Sequence, residues 1–258
     1  MSEVQTLDTH DLEQRVREMY REVAEEPFKE FHFETGGALA KRLGYPSDEL
    51  DAIPDEAIDS FAGVGYYFDL ARVQPGETVV DLGSGSGMDS FLAARKVGET
   101  GRVVGIDMTE AQLTKARRLA DEDGFANVEF VDARIEQLPL ADGSADIVIS
   151  NGVINLAPDK TLVFAEAARV LRPGGRLALA DIVTSVQLPV GVTCDAALWA
   201  ACIGGAMQRD DYREAIEAAG FELDDLKENE QYRFVSRRAD NATQKYGVKS
   251  VSLLASKR

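Results

Sequence analysis

The residues best suited to chemistry lie in the stretch Thr78-Val79-Val80-Asp81-Leu82-Gly83-Ser84-Gly85-Ser86-Gly87-Met88-Asp89. An apolar run ends on a carboxylate and passes into a loop with glycine at alternate positions. Gly83, Gly85 and Gly87 let the backbone turn tightly at the carboxyl end of a strand and let a ligand approach without a Cβ in the way. The spacing Gly-x-Gly-x-Gly departs from the dinucleotide pattern Gly-x-Gly-x-x-Gly. Asp81 would repel a pyrophosphate, yet it suits a ligand carrying an ammonium and a sulfonium. A ligand-free strand-to-helix turn would use the same glycines.

Later strand ends carry polar groups too. The run Val104-Gly105-Ile106-Asp107 closes on an acid that can accept hydrogen bonds from both ribose hydroxyls of a nucleoside or, alternatively, cap the next helix. Met108 would offer an adenine a polarizable face, or simply pack. Asp132 could accept from an adenine exocyclic amine while the Ala133 N–H donates to a ring nitrogen; the alternative for Asp132 is a turn cap. Asn151 ends the fourth apolar run and adds a further polar group at a strand end.

These groups need a scaffold. Strands are expected at 77–82, 102–107, 127–132, 145–150 and 175–182, with helices near 88–97, 109–123, 160–171 and 209–219. The alternation implies an α/β fold with a doubly wound, mostly parallel sheet and right-handed crossovers. Pro173-Gly174-Gly175 reads as a turn before the fifth strand, and Tyr232–Val235 with Val248–Leu254 as a closing antiparallel hairpin. Before Leu70 no strand alternation occurs. Leu12, Val16, Met19, Tyr20 and Val23 mark an amphipathic helix that Asp11 could cap. Further helices are expected at Gly37–Leu43, stopped by Gly44 and Pro46, and at Ser47 and Pro54. Residues 1–70 are thus expected to form a helical cap or lid, and 71–258 the sheet domain.

Composition narrows the partners. The 258 residues can bury a sizeable core, and 45% hydrophobic content is ordinary for a globular chain. A net charge of −17 and a pI near 4.6 argue against nucleic acid and anionic membrane as partners. They also admit a high-salt source. With no apolar run long enough to span a bilayer and a polar start at Met1-Ser2-Glu3, a cytoplasmic location is expected. Cys194 and Cys202 are too few for a disulfide framework or a thiolate metal site, so no metal is expected.

Val79 to Gly87, Gly105–Met108, Leu138-Pro139-Leu140, Ser150–Leu156 and Leu171–Arg176 together resemble a class I S-adenosylmethionine-dependent methyltransferase of the seven-stranded, Rossmann-like type. Within that group, Phe91–Gly98, Pro158-Asp159-Lys160, Ala180–Val183, Leu198–Ala206 and Leu43-Gly44-Tyr45 before Asp48-Glu49-Leu50 are similar to arsenite methyltransferases. The resemblance runs from about Leu43 to Phe221. It implies S-adenosylmethionine as cofactor, S-adenosylhomocysteine as product, and cofactor contacts from Asp81, Gly83, Ser84, Gly85, Gly87, Asp107, Met108, Asp132, Ala133 and Asn151.

The same resemblance implies a substrate side that this sequence alters. Arsenite methyltransferases hold trivalent arsenic by three thiolates, which requires soft ligands converging on one site. Of that family's cysteines only the one in the Trp-x-x-Cys segment has a counterpart here, Cys202, whereas Gly152 follows Ser150-Asn151 where a thiol is expected, and Val64 stands about where another would be. Tyr20 resembles a position near the cofactor's carboxylate end. Asn155, Trp199 and Cys202 are placed beside the acceptor, with Tyr66 and Tyr67 as further wall candidates. His32, among Phe28, Phe31 and Phe33, could take a proton from an acceptor or fill an aromatic mini-core. His10 is expected to be solvated. Three readings follow: a methyltransferase acting on a small-molecule acceptor, an arsenite methyltransferase, and a non-catalytic module that binds the donor.

Overall fold

The computed structural model describes residues 7–194, 199, 203–235 and 243–258. Five helices come first: α1 (Thr9–Glu25), α2 (Gly37–Leu43), α3 (Ser47–Leu50), α4 (Asp55–Asp59) and α5 (Phe68–Ala71). Helix α1 buries Leu12, Val16, Val23 and Ala24, a stripe at helical spacing. Its cap is Asp8, whose side chain accepts from the backbone N–H groups of His10 and Asp11 at 3.0 Å. The expected cap, Asp11, lies inside the first turn and pairs with Arg15 one turn on.

The sheet domain follows as β1 (Thr78–Leu82), α6 (Met88–Val97), β2 (Arg102–Asp107), α7 (Glu110–Glu122), β3 (Val128–Asp132), β4 (Ala145–Asn151), α8 (Lys160–Val170) and β5 (Leu171–Thr184). After it come α9 (Val190–Thr193), the two-residue β6 (Met207–Gln208), α10 (Arg209–Ala218), β7 (Phe221–Glu228) and β8 (Lys249–Lys257). Strand order is β3-β2-β1-β4-β5-β8-β7, with β6 paired to β5 off this path, so the sheet has eight strands. β1 to β5 pair in parallel, and β8 runs antiparallel between β5 and β7. The order reverses between β1 and β4, which sets the ligand crevice at the carboxyl ends of those two strands.

Two expectations are corrected. Tyr232–Val235 is not a strand; the partner of β8 is Phe221–Glu228, an edge strand whose charged residues hide its alternation. Pro173-Gly174-Gly175 does not end an element either. It bulges inside β5, where the register with β4 jumps from Ala145 opposite Leu171 to Ile147 opposite Arg176.

Each face of the sheet carries an apolar cluster. On one, Leu12, Leu39, Phe61 and Tyr67 of the N-terminal segment pack in the same core as Phe91 and Leu113 of α6 and α7 and Ile147 and Ala178 of the sheet. The other face is covered by Phe164 of α8 and Tyr212 of α10, whose rings meet edge to face at 5.2 Å. The N-terminal helices are therefore fixed to this face of the sheet by shared burial. Among the described residues no helix is long and apolar enough to cross a membrane.

Candidate active site

A cleft of about 1130 Å³, counted with the solvent at its mouth, opens at the carboxyl ends of β1, β2 and β4. Its floor is the loop after β1, represented by Asp81, Gly83, Ser84 and Gly85, and α1 roofs it with Leu12, Val16 and Tyr20. Strand ends add Asp107, Met108, Ala133, Asn151 and Gly152, all expected from sequence.

The loop shape depends on Gly87, which caps α6 at φ +96°. A Cβ there would lie 2.8 Å from both Phe130 Cζ and Phe91 Cε2. Gly87 does not line the cleft; it lets the turn pack against the aromatic pair beneath. Gly87→Ala combines a left-handed strain with this clash, so it is expected to cost about 2–3 kcal/mol, read as a lower urea midpoint at unchanged slope.

Three carboxylates dominate the electrostatics. Asp81 is 2% exposed and accepts from Ser90 Oγ at 2.6 Å. Burial first, then the charge of Asp89, pushes its pKa up to about 8. Asp107 binds the loop to its own strand: one oxygen accepts from Gly85 N at 2.9 Å and the other from Thr109 N at 2.8 Å. Burial also raises its pKa, against the pull of these N–H groups. Asp89 accepts from Tyr45 Oη at 2.7 Å, Tyr67 Oη at 2.8 Å and Asn151 Nδ2 at 3.0 Å, and burial raises its pKa as well. Among the described lining residues the one arginine, Arg134, is taken up by Glu13 and Glu136.

A cleft so built favours a ligand that brings positive charge to Asp81 and hydroxyl donors to Asp107, whose carboxylate has acceptor capacity beyond its two backbone bonds. Ser84 adds an independent sign. Its Oγ is buried with no hydrogen-bond partner among the described residues and lies in the cleft wall. The residues present therefore fit a nucleoside bearing an ammonium.

At the end of β4, Asn151 ties that strand to the loop before α5. Its Oδ1 accepts from Val64 N at 2.7 Å, and its Nδ2 donates to Gly65 O and Tyr45 Oη, each at 3.0 Å. Gly152 takes φ +76°, and a Cβ there would sit 3.3 Å from Val64 Cγ1. The two positions at which the resemblance implies thiols are thus neighbours in space.

Other expected residues lie elsewhere. Asp132 is exposed at the end of β3 and outside the cleft lining, and Ala133 N donates to Asp107 O at 3.1 Å, which removes the proposed bond to a ring nitrogen. Asn155 is fully buried behind the wall, its backbone N–H beside the Asp181 carboxylate. Trp199 is buried under Lys160, whose Nζ stands 4.7 Å from the ring centroid, and its Nε1 donates to Thr193 O at 2.6 Å. His32 meets Phe33 edge-on at 4.7 Å, and Phe33 stacks on Tyr20; of these only Tyr20 lines the cleft. Tyr66 packs against Tyr45 rather than facing the cleft. Cys194 is half-buried after α9 and does not line the cleft, and Cys202 lies outside the described residues. Asp89, Gln112 and Ser60, which line the cleft, and Tyr45, which donates to Asp89, are among the polar residues that reading the sequence missed.

Known proteins of similar sequence and fold show the family. A family profile described as "Methyltransferase domain" matches residues 74–220, and one described as "Protein-L-isoaspartate(D-aspartate) O-methyltransferase" matches residues 5–137. An arsenite methyltransferase of Halobacterium salinarum is 43% identical over 204 residues, 79% of this chain and 52% of that protein. The chain spans about half the length of the curated relatives it matches. Among solved structures, an arsenic(III) S-adenosylmethionine methyltransferase from Chlamydomonas reinhardtii matches with TM-score 0.67 and 32% identity, covering 86% of this chain and 73% of that one. A geranyl diphosphate methyltransferase shares the fold at TM-score 0.66 and 20% identity, over 96% of this chain and 99% of that one.

Proposed function

Since the chain belongs to the S-adenosylmethionine-dependent methyltransferases, we propose that it transfers a methyl group from S-adenosylmethionine to a small-molecule acceptor within the cleft. The observation that carries this reading is the pairing of buried Asp81 with Asp107 at adjacent strand ends around the loop of Gly83 to Gly87. In it, Asp81 holds the ammonium, Asp107 the ribose hydroxyls and Met108 one face of the adenine, while Ser84 Oγ gains a partner. The bound donor supplies a methyl group on a sulfonium, a good leaving group.

The chain's own work is then alignment and exclusion of water. Residues 1–70 serve as the lid over residues 71–258, with Leu12 and Val16 of α1 closing the cleft on one side. Asn151 fixes the height of the Val64 loop above β4, and so the path along which an acceptor reaches the methyl group.

The acceptor is read as an O, N, C or S nucleophile rather than thiolate-held arsenic. Val64 and Gly152 fill the place where two thiols would converge, and no thiol lines the cleft among the described residues. Arsenite is the second reading, favoured by the 43% identity to an arsenite methyltransferase. Incubation with labelled donor, excess reduced thiol and either arsenite or a panel of small acceptors separates the two. The expected result is label in an organic acceptor and no methylated arsenic above the enzyme-free control. Methylated arsenic that vanishes in Cys202→Ala would establish the second reading instead.

A further inference from the structure

The cleft carboxylates account for the positive and neutral parts of the donor, but its methionine moiety also carries a carboxylate, which Asp81, Asp89 and Asp107 all repel. Arg134 does not serve it, being ion-paired beside Ala133 at the nucleoside end. Helix α1 runs from Glu13, paired with Arg134, to Tyr20, bonded to Gln112, so Tyr20, Gln112, Ser86 and Ser60 line the cleft about two helical turns away from Arg134. Gln112 knits these elements together, its Nε2 donating to Tyr20 O at 2.8 Å and its Oε1 accepting from Ser86 Oγ.

Lys115 stands immediately behind this wall. One helical turn after Gln112 on α7, and so on the same face, it is half-buried and donates from Nζ to Ser60 Oγ at 2.9 Å and to Ala24 O at 3.2 Å. Of the acids on its outer side, Glu56 and Asp59, Glu56 is already paired with Arg118 at 2.5 Å. Ser60 is buried, lines the cleft, and spends its own proton on Val23 O at a long 3.2 Å.

Resting on the S-adenosylmethionine reading, we propose that Lys115 is the positioning residue for the donor's carboxylate and acts through the Ser60 hydroxyl. Lys115 holds the Ser60 oxygen from behind and polarises it. The hydroxyl turns from Val23 O to the incoming carboxylate, giving a charge-assisted hydrogen bond with a cation one bond further back. No proton changes owner. The arrangement places positive potential at the one end of an acidic cleft where the ligand is negative, and so sets the direction in which the donor lies.

Calorimetric titration with three ligands tests this: S-adenosylhomocysteine, its decarboxylated analogue, which keeps the ammonium, and 5′-methylthioadenosine, which lacks both groups. Lys115→Met, which keeps the apolar stem, is expected to weaken S-adenosylhomocysteine roughly tenfold, as for loss of a hydrogen bond to a charged group, and to leave the other two within about twofold. Ser60→Ala should reproduce the same ligand pattern. Retained 5′-methylthioadenosine binding reports an intact fold in each variant. Equal weakening of all three ligands, or unchanged S-adenosylhomocysteine affinity, would overturn the proposal. Failure of the unmodified chain to bind any of the three would instead overturn the donor reading beneath it.

Discussion

Asp107→Ala is expected to abolish most of the thermal stabilisation that S-adenosylhomocysteine confers on this chain. A ligand at a hundred times its dissociation constant stabilises the folded state by about 2.7 kcal/mol, which in a protein of this size corresponds to roughly 5–10 °C. On the proposed reading Asp107 supports binding in two ways: its carboxylate faces the cleft, and its two oxygens hold Gly85 N and Thr109 N, fixing the loop on which the ligand would rest. Alanine removes the ribose acceptor and releases the loop together. A thermal scan with S-adenosylhomocysteine, and with NAD as control, should show the full shift in the unmodified chain with the first ligand only. A variant that keeps more than half of the shift would contradict the role given to Asp107.

The second large effect is on protons. With a pKa of about 8 in the fold and about 3.9 when unfolded, Asp81 contributes most to the stability of the ligand-free chain below about pH 4. That contribution is lost as pH rises toward 8, because the fold must then bury a charge. Asp81→Asn is therefore expected to melt progressively higher than the unmodified chain over this interval. Ligand binding reverses the preference, since an ammonium beside Asp81 favours the ionised form and lowers its pKa. Near pH 7 the ligand-free side chain is mostly protonated, so binding S-adenosylhomocysteine should release close to one proton, and affinity should rise with pH up to about 8. Calorimetry at pH 7 in phosphate and in Tris would register the release as a buffer-dependent enthalpy. In Asp81→Asn that dependence disappears, and affinity falls roughly tenfold to a hundredfold. Identical enthalpies in the two buffers for the unmodified chain would sink the assignment of Asp81.

The five parallel strands and the glycine loop were legible because each is a short apolar run with a punctuating residue at its end, and local signals suffice for that. β7 was not, since an edge strand reading Phe221-Glu222-Leu223-Asp224-Asp225-Leu226 spends its outward positions on charge. The site divides in the same manner. Asp81, Asp107 and Asn151 announce themselves as strand ends, whereas Asp89 draws its three partners from 44, 22 and 62 residues away, a spacing no local pattern records. One hint was present: a carboxylate in the first turn of a helix that is otherwise small or apolar through Ala94. Asp132 ends β3 as Asp107 ends β2, yet it stays exposed and outside the cleft lining, so an acid at a strand end does not by itself mark a cleft residue.

The position of β8 has a consequence for how the protein is made. It lies between β5 and β7 although both precede it in the chain, and its Ser250 and Ser252 donate to Val64 O and Tyr66 O at 2.6 and 3.1 Å. A ribosome emitting residues from first to last delivers the strands that carry Asp81 and Asp107 early but leaves the β5 edge unpaired until residues 249–257 emerge. The loop of Val64 to Tyr66 is thus anchored by contacts about 186 residues distant in sequence, the slow kind to form. A nascent chain should acquire the capacity to bind nucleoside before it acquires the capacity to orient an acceptor.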